Sequence, residues 1–202
     1  MEVWRGALAI VGMGNAGMLF TCCRSAVAAE LTVMAELNGT IVTVSGPLLE
    51  GDASHFRHLL EESIAANKPV STVRLNSSGG NLRESVRIAA LIHGAKITTE
   101  VTAGAVCTHA CFLPFIAGDP KVVNMSATIA GPGTAEKPVP GEAPPIVRGE
   151  TPALVKVVQQ LGLLDAIIGK MLATPENSDF PLSADDLRAM GVMMTRRPSP
   201  HP

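Results

Sequence analysis

Hydrophobic and polar positions follow two different periods along this chain. Leu31 to Leu37 and Thr40 to Ser45 are rich in β-branched residues and flank Asn38-Gly39, a two-residue hairpin signal. Gly46-Pro47 closes the second run. The period then changes: Phe56, Leu59, Leu60, Ser63 and Ile64 recur at helical spacing. A helix is predicted there to about Asn67, capped by Asp52 or Ser54. Val70 to Leu75 reads as a buried strand, and Asn76-Ser77-Ser78-Gly79-Gly80 as a turn needing positive φ or close backbone approach. Asn81-Leu82-Arg83-Glu84 has capping-box character and opens a helix to about His93. Ile97 to Val101 is the next strand.

Val106 to Ala117 is apolar and helical after its first residues, until Gly118-Asp119-Pro120 breaks it. Val122-Val123 and Ala127 to Ala130 are short strands. Pro and Gly then crowd residues 132–150, which read as an extended or mobile insert. Thr151-Pro152 is a cap followed by a first-turn proline, starting a helix to about Leu161. A second helix covers Leu164 to Ala173, and Ser183 caps a last short one ending at Gly191. Strands alternating with helices predict one α/β domain over residues 30–195, with a disordered tail at 196–202.

The start of the chain reads as a leader. Met1 to Arg5 is short with one basic residue, Gly6 to Phe20 is almost wholly apolar, and Ala26-Val27-Ala28-Ala29 offers small residues before Glu30. That order is a secretory signal over residues 1–29, so the mature protein is expected to be exported, periplasmic or secreted. No later run is long and apolar enough to span a bilayer. The same stretch supports a second reading. Gly12-Met13-Gly14-Asn15-Ala16-Gly17 matches a dinucleotide-binding fingerprint after the apolar Leu8 to Val11, with Glu36 near the place of a ribose-binding acid. No further βαβ units follow it.

Sixteen Lys plus Arg balance eighteen Asp plus Glu, no basic block occurs, and the chain has no Tyr and a single Trp. Nucleic-acid binding needs phosphate-neutralising charge and stacking surfaces, so it is not expected. No cofactor is expected either.

Four segments together resemble the exported, ClpP-like branch of the Clp protease/crotonase superfamily. Val73-Arg74-Leu75-Asn76-Ser77-Ser78-Gly79-Gly80 resembles its strand and Asn-Ser-Pro-Gly-Gly turn, with Ser78 in place of proline. Ala105-Val106-Cys107-Thr108-His109-Ala110-Cys111 resembles its nucleophile segment. Gly118-Asp119-Pro120 through Ala130 resembles the strand leading to its histidine, and Phe180 through Val192 its closing helix and strand. The resemblance covers roughly Leu31 to Thr195 and implies stacked ββα units.

In that family a serine attacks a carbonyl, a histidine takes its proton, an aspartate orients the histidine, and backbone amides hold the oxyanion. Carried over by position, the serine falls on His109, the histidine on Pro132 and the aspartate on Asp179. The oxyanion amides fall on Gly79, Gly80 and Ala110. Only Asp179 keeps the family residue. Proline accepts no proton, and an imidazole forms no oxygen ester, so acyl transfer by the family route is expected to be absent. Asp179, without a histidine at position 132, is expected to order the loop before Ser183. His109 is expected to fill the vacated pocket, partly buried.

Thr108, Ser77 and Ser78 are the substitute hydroxyls, though none has an evident base. Cys107 and Cys111 are the only cysteines after the leader, which in an oxidising compartment invites a disulfide, against the alternative of two small buried apolar residues. Cys107, His109 and Cys111 carry metal-binding atoms, but on a helix His109 points away from the cysteines, so no metal is expected. His55 and His58 share a helix face with Asp52 and read as a solvated face. The function expected is therefore a catalytically degenerate exported protein that binds a peptide or protein partner in the former cleft, with homo-oligomers as in relatives. A serine- or threonine-type hydrolase with a rearranged site and a dinucleotide-binding protein are the alternatives.

Overall fold

The computed structural model describes residues 29–36, 39–135, 151–176 and 178–196. The expected leader up to residue 28, the fingerprint Gly12 to Gly17, most of the Pro/Gly-rich insert and the end of the tail lie outside them. Ala29, the last residue of the expected leader, is buried.

Six strands form the main sheet in the order β1-β2-β3-β4-β6-β9. β1 (Glu30–Glu36) is antiparallel to β2 (Gly39–Ser45), running in register from Glu30 opposite Ser45 to Glu36 opposite Gly39. Gly39 is thus a strand residue rather than part of the turn. A Cβ there would lie 2.5 Å from the Ser71 hydroxyl oxygen on the next strand, so close strand approach demands the glycine.

After β2, α1 (Asp52–Ala65) leads to β3 (Val70–Asn76), then α2 (Leu82–Ala95) and β4 (Thr98–Val101). β2, β3, β4, β6 (Lys121–Asn124) and β9 (Met193–Thr195) are mutually parallel in the sheet order. Right-handed crossovers through helices are what such parallel pairs need. Between β4 and β6 run β5 (Val106–Cys107), a short 3-10 helix at His109–Cys111, and α3 (Phe112–Ile116). A second sheet holds β5, β7 (Thr128–Pro132) and β8 (Asp179–Pro181). α4 (Thr151–Gln160), α5 (Asp165–Ala173) and α6 (Ala184–Ala189) complete the chain. The core is one apolar cluster: Val42, Phe56, Val73, Ile88, Ile92 and Phe112 are fully buried in it. None of the described helices is long and apolar enough to cross a membrane.

Two sequence expectations are corrected at α1. Neither Asp52 nor Ser54 caps it; the N-cap is Gly51, in the left-handed region at φ 99°. Asp52 instead accepts the Leu49 N–H at 2.7 Å, and the first-turn N–H of Ala53 is accepted by Glu84 Oε2 at 2.9 Å. Ile64, expected on the apolar face, is exposed; the buried positions of α1 are Asp52, Ala53, Phe56 and Ser63. A third correction follows at α2. Asn81 caps it as predicted, accepting the N–H groups of Arg83 and Glu84. Glu84 does not close the box on Asn81, because its carboxylate is used by α1.

Candidate functional site

The site begins where β3 ends. Ser77 continues beyond the strand and pairs with residues 106–108: its N–H donates to the Val106 carbonyl at 2.7 Å, and the Thr108 N–H donates to the Ser77 carbonyl at 3.2 Å. The Asn76 side chain also accepts the Val106 N–H at 3.2 Å. The Gly-Gly turn is thereby strapped against residues 106–108. Both glycines have positive φ, 110° at Gly79 and 129° at Gly80. A Cβ on Gly79 would sit 2.6 Å from His109 Cβ and 3.0 Å from the Ala110 nitrogen; one on Gly80 would sit 2.2 Å from the Leu48 carbonyl oxygen. Both features predicted for this turn, positive φ and close approach, are present.

The second wall is the strand-to-helix bend at His109. This residue is left-handed, at φ 50°, a region that costs a non-glycine residue about 1–2 kcal/mol. Its neighbours hold it there. Cys107 on β5 and Cys111 on the 3-10 helix are joined by a disulfide, with Cα atoms 5.2 Å apart. The Cys111 N–H donates to the Thr108 carbonyl at 3.0 Å, and the buried Ser85 hydroxyl donates to the Ala110 carbonyl. Cys107 lies on extended chain before the helix, which is why the two sulfurs meet. Bonded to one another, they offer no thiolate to a metal.

The third wall is β8. Antiparallel pairing sets Asp179 opposite Pro132 and Phe180 opposite Gly131. A Cβ on Gly131 would strike the Phe180 ring at 2.2 Å, so a glycine is required for β8 to approach. Phe180 packs edge-on against Phe112, ring centroids 6.2 Å apart, which locks β8 onto the core. The Asp179 carboxylate is then delivered to His109: Asp179 Oδ1 and His109 Nδ1 are hydrogen-bonded partners. The His109 side chain remains 43% exposed and that of Asp179 29%.

His109 is half-buried, and the pairing gives it and Asp179 a partner that the expectations for them did not include. The residues are 70 apart in sequence. Asp179 lies opposite Pro132, and the pattern along the chain did not reveal that the His109 imidazole reaches the same carboxylate. A signal was present. The resemblance had assigned His109 and Asp179 to one site, which puts an imidazole within reach of a carboxylate.

The remaining candidates are placed as follows. The Ser77 hydroxyl is buried and bonds within its own turn, accepting the Gly79 N–H at 3.1 Å. Ser78 is exposed and Thr108 half-buried, and neither hydroxyl hydrogen-bonds to His109 among the described residues. The N–H groups of Gly80 and Ala110 make no hydrogen bond to a described residue. His55 and His58 are exposed on α1, with His58 3.2 Å from Glu62. A separate apolar cavity of about 320 Å³ lies between α2 and α4, lined by Leu82, Val86, Leu154 and Val157.

No protein-family model matches the chain, and no curated protein does. Solved structures match it. The membrane-bound stomatin-specific protease 1510-N is 14% identical, with a TM-score of 0.56 over 78% of this chain and 79% of that one. ClpP1 from Listeria monocytogenes is 15% identical, with a TM-score of 0.52 over 77% and 92%. A methylmalonyl-CoA decarboxylase is 11% identical, with a TM-score of 0.54 over 84% and 69%. Proteases and acyl-CoA enzymes thus share one architecture with this chain, and its fold is that of the Clp protease/crotonase superfamily.

Proposed function

We propose that the protein is an exported ClpP-like cleft protein that binds an extended segment of a peptide or protein partner and performs no serine-type acyl transfer. The observation that carries this is the pairing of His109 with Asp179. In a serine peptidase the aspartate orients a histidine that deprotonates the nucleophile. Here the imidazole occupies the place of the nucleophile and takes the aspartate for itself. Pro132, beside Asp179 on β7, has nothing with which to accept a proton.

The donors that remain suit binding. The N–H groups of Gly80 and Ala110, which have no partner among the described residues, are donors for a peptide carbonyl, and donation to a ground-state carbonyl gives affinity whether or not an attack follows. A stomatin-specific protease with this fold, 14% identical at a TM-score of 0.53, has been solved with a substrate peptide. Export rests on the three-part order of residues 1–29. Self-assembly belongs to the same proposal: β1 is an edge strand and carries exposed Val33 and Met34.

The test uses the leader-free protein. Fluorescence anisotropy against a randomised peptide pool is expected to show binding in roughly the micromolar range, weakened about tenfold by His109→Trp, which obstructs the cleft mouth. A fluorophosphonate probe is expected to leave Thr108, Ser77 and Ser78 unmodified. Stoichiometric labelling of any one of them would sink the proposal in favour of a rearranged hydrolase.

A further inference from the structure

One reactive atom has no role in peptide binding. A carboxylate only accepts hydrogen bonds, so the pairing with Asp179 puts the hydrogen on His109 Nδ1 and, in the neutral ring, the lone pair on Nε2. The left-handed bend at φ 50° between β5 and the following helix presents this side chain outward, as such bends do for nucleophiles. Nearly half of the side chain is open to solvent. Gly79 packs against its Cβ, and the next residue on each side, Gly80 and Ala110, brings an N–H with no partner among the described residues. The imidazole is thus flanked in the chain by Ala110 and packed through its Cβ on Gly79, next to Gly80.

We propose that His109 is itself a nucleophile toward activated carboxylic esters, with Asp179 as its positioning residue. Nε2 attacks the carbonyl carbon, a C–N bond forms, and the carbonyl π pair moves to the oxygen, held by the N–H groups of Gly80 and Ala110. Collapse breaks the C–O bond, and the leaving group departs as an aryloxide with its electron pair. The acylimidazolium keeps its Nδ1 hydrogen on Asp179. Water then adds to the same carbonyl, the C–N bond breaks, and its electron pair returns to Nε2. One proton is released, and it neutralises the aryloxide. The balance is ester plus water to carboxylic acid plus phenol. Peptides are excluded as substrates, because a leaving amine needs a proton donor and Pro132 supplies none. This step does not depend on peptide affinity.

The experiment is hydrolysis of p-nitrophenyl acetate by the leader-free protein, with acid quenching and mass spectrometry of the protein. Turnover roughly 100-fold above equimolar free imidazole and an acetyl group on His109 are expected. His109→Gly suits the backbone at φ 50°, so it is expected to fold, lose the adduct, and recover part of the rate when imidazole is added. Asp179→Asn is expected to keep the adduct on His109 and lower kcat with KM little changed. A rate no greater than that of free imidazole, a rate unchanged in His109→Gly, or acetylation elsewhere overturns the proposal. Peptide binding that persists alongside such a result leaves the binding function standing.

Discussion

Two turns feed helices at this site, and they solve the same local problem differently. The first, residues 77–84, supplies Gly79 and Gly80 and starts α2. The second, residues 179–186, supplies Asp179 and starts α6. Each has a polar N-cap followed three residues later by an acid: Asn81 with Glu84, and Ser183 with Asp186. At Ser183 the box closes on itself, the cap hydroxyl accepting the Asp186 N–H and the Asp186 carboxylate taking the Ser183 N–H. At Asn81 it stays open. Glu84, 2% exposed, turns across the interface to the Ala53 N–H of α1 and pairs with Arg87 at 2.7 Å. α1 begins at a glycine with no side-chain cap, so its buried first turn needs an acceptor from elsewhere. The lesson is that a local motif closes locally when solvent surrounds it and is recruited when a buried donor lies within reach.

The largest effect expected is at the Gly79-Gly80 turn. Gly80→Ala places a Cβ against the Leu48 backbone at a φ of 129°, where no flexible group can yield. Urea unfolding is expected to show a loss of about 3 kcal/mol or more. A loss below about 1 kcal/mol would mean that the turn is no more rigid than its exposed counterpart.

Next comes Glu84→Ala, which strands the Ala53 N–H and one side of Arg87. It is expected to cost about 2–4 kcal/mol, and Glu84→Gln less, since the amide oxygen still accepts. Equal costs for the two would show that charge, rather than the cap of α1, is what Glu84 supplies.

The exposed turn is expected to tolerate the matching change. Ser183→Ala removes a side-chain cap worth about 1 kcal/mol, measured in the same unfolding series. If it costs as much as Glu84→Ala, exposure is not what separates the two turns.

The smallest effect is a pH dependence. Lys170, 2.7 Å away, and the Ser183 hydroxyl hold the Asp186 carboxyl down at about 2. A carboxyl depressed on folding adds stability above its unfolded value and loses it as pH falls, here between about pH 4 and pH 2. Lys170→Ala is expected to flatten that window by less than about 1 kcal/mol, because the Lys170 end of the pair is about half exposed and screened by solvent. An unchanged acid limb in acid-titrated melts would assign the depression to the capping box alone.

Much of the fold was legible because its signals are local. The β1–β2 pair, the Asn81 and Ser183 caps, the Gly79-Gly80 turn and the break at Gly118-Asp119-Pro120 each follow from the preferences of a few adjacent residues. β8 was not legible: Asp179–Pro181 is a three-residue strand with a proline at its end, and it exists only because Gly131 lets Phe180 pack over β7. Ile64 was misplaced because periodicity gives a helix face and not how far the core extends along it.

By itself the sequence placed His109 and Pro132 at the positions that a resemblance assigns to a serine and a histidine, and predicted the Gly79-Gly80 turn beside them. Only the tertiary structure decided what these residues touch. It joined Cys107 to Cys111, freed the N–H groups of Gly80 and Ala110 from any described partner, and brought Asp179 across 70 residues to His109. Residue identity fixes which hydrogen bonds a side chain is able to make, but the partner depends on register between strands distant in sequence, and that register is set by packing of the whole core.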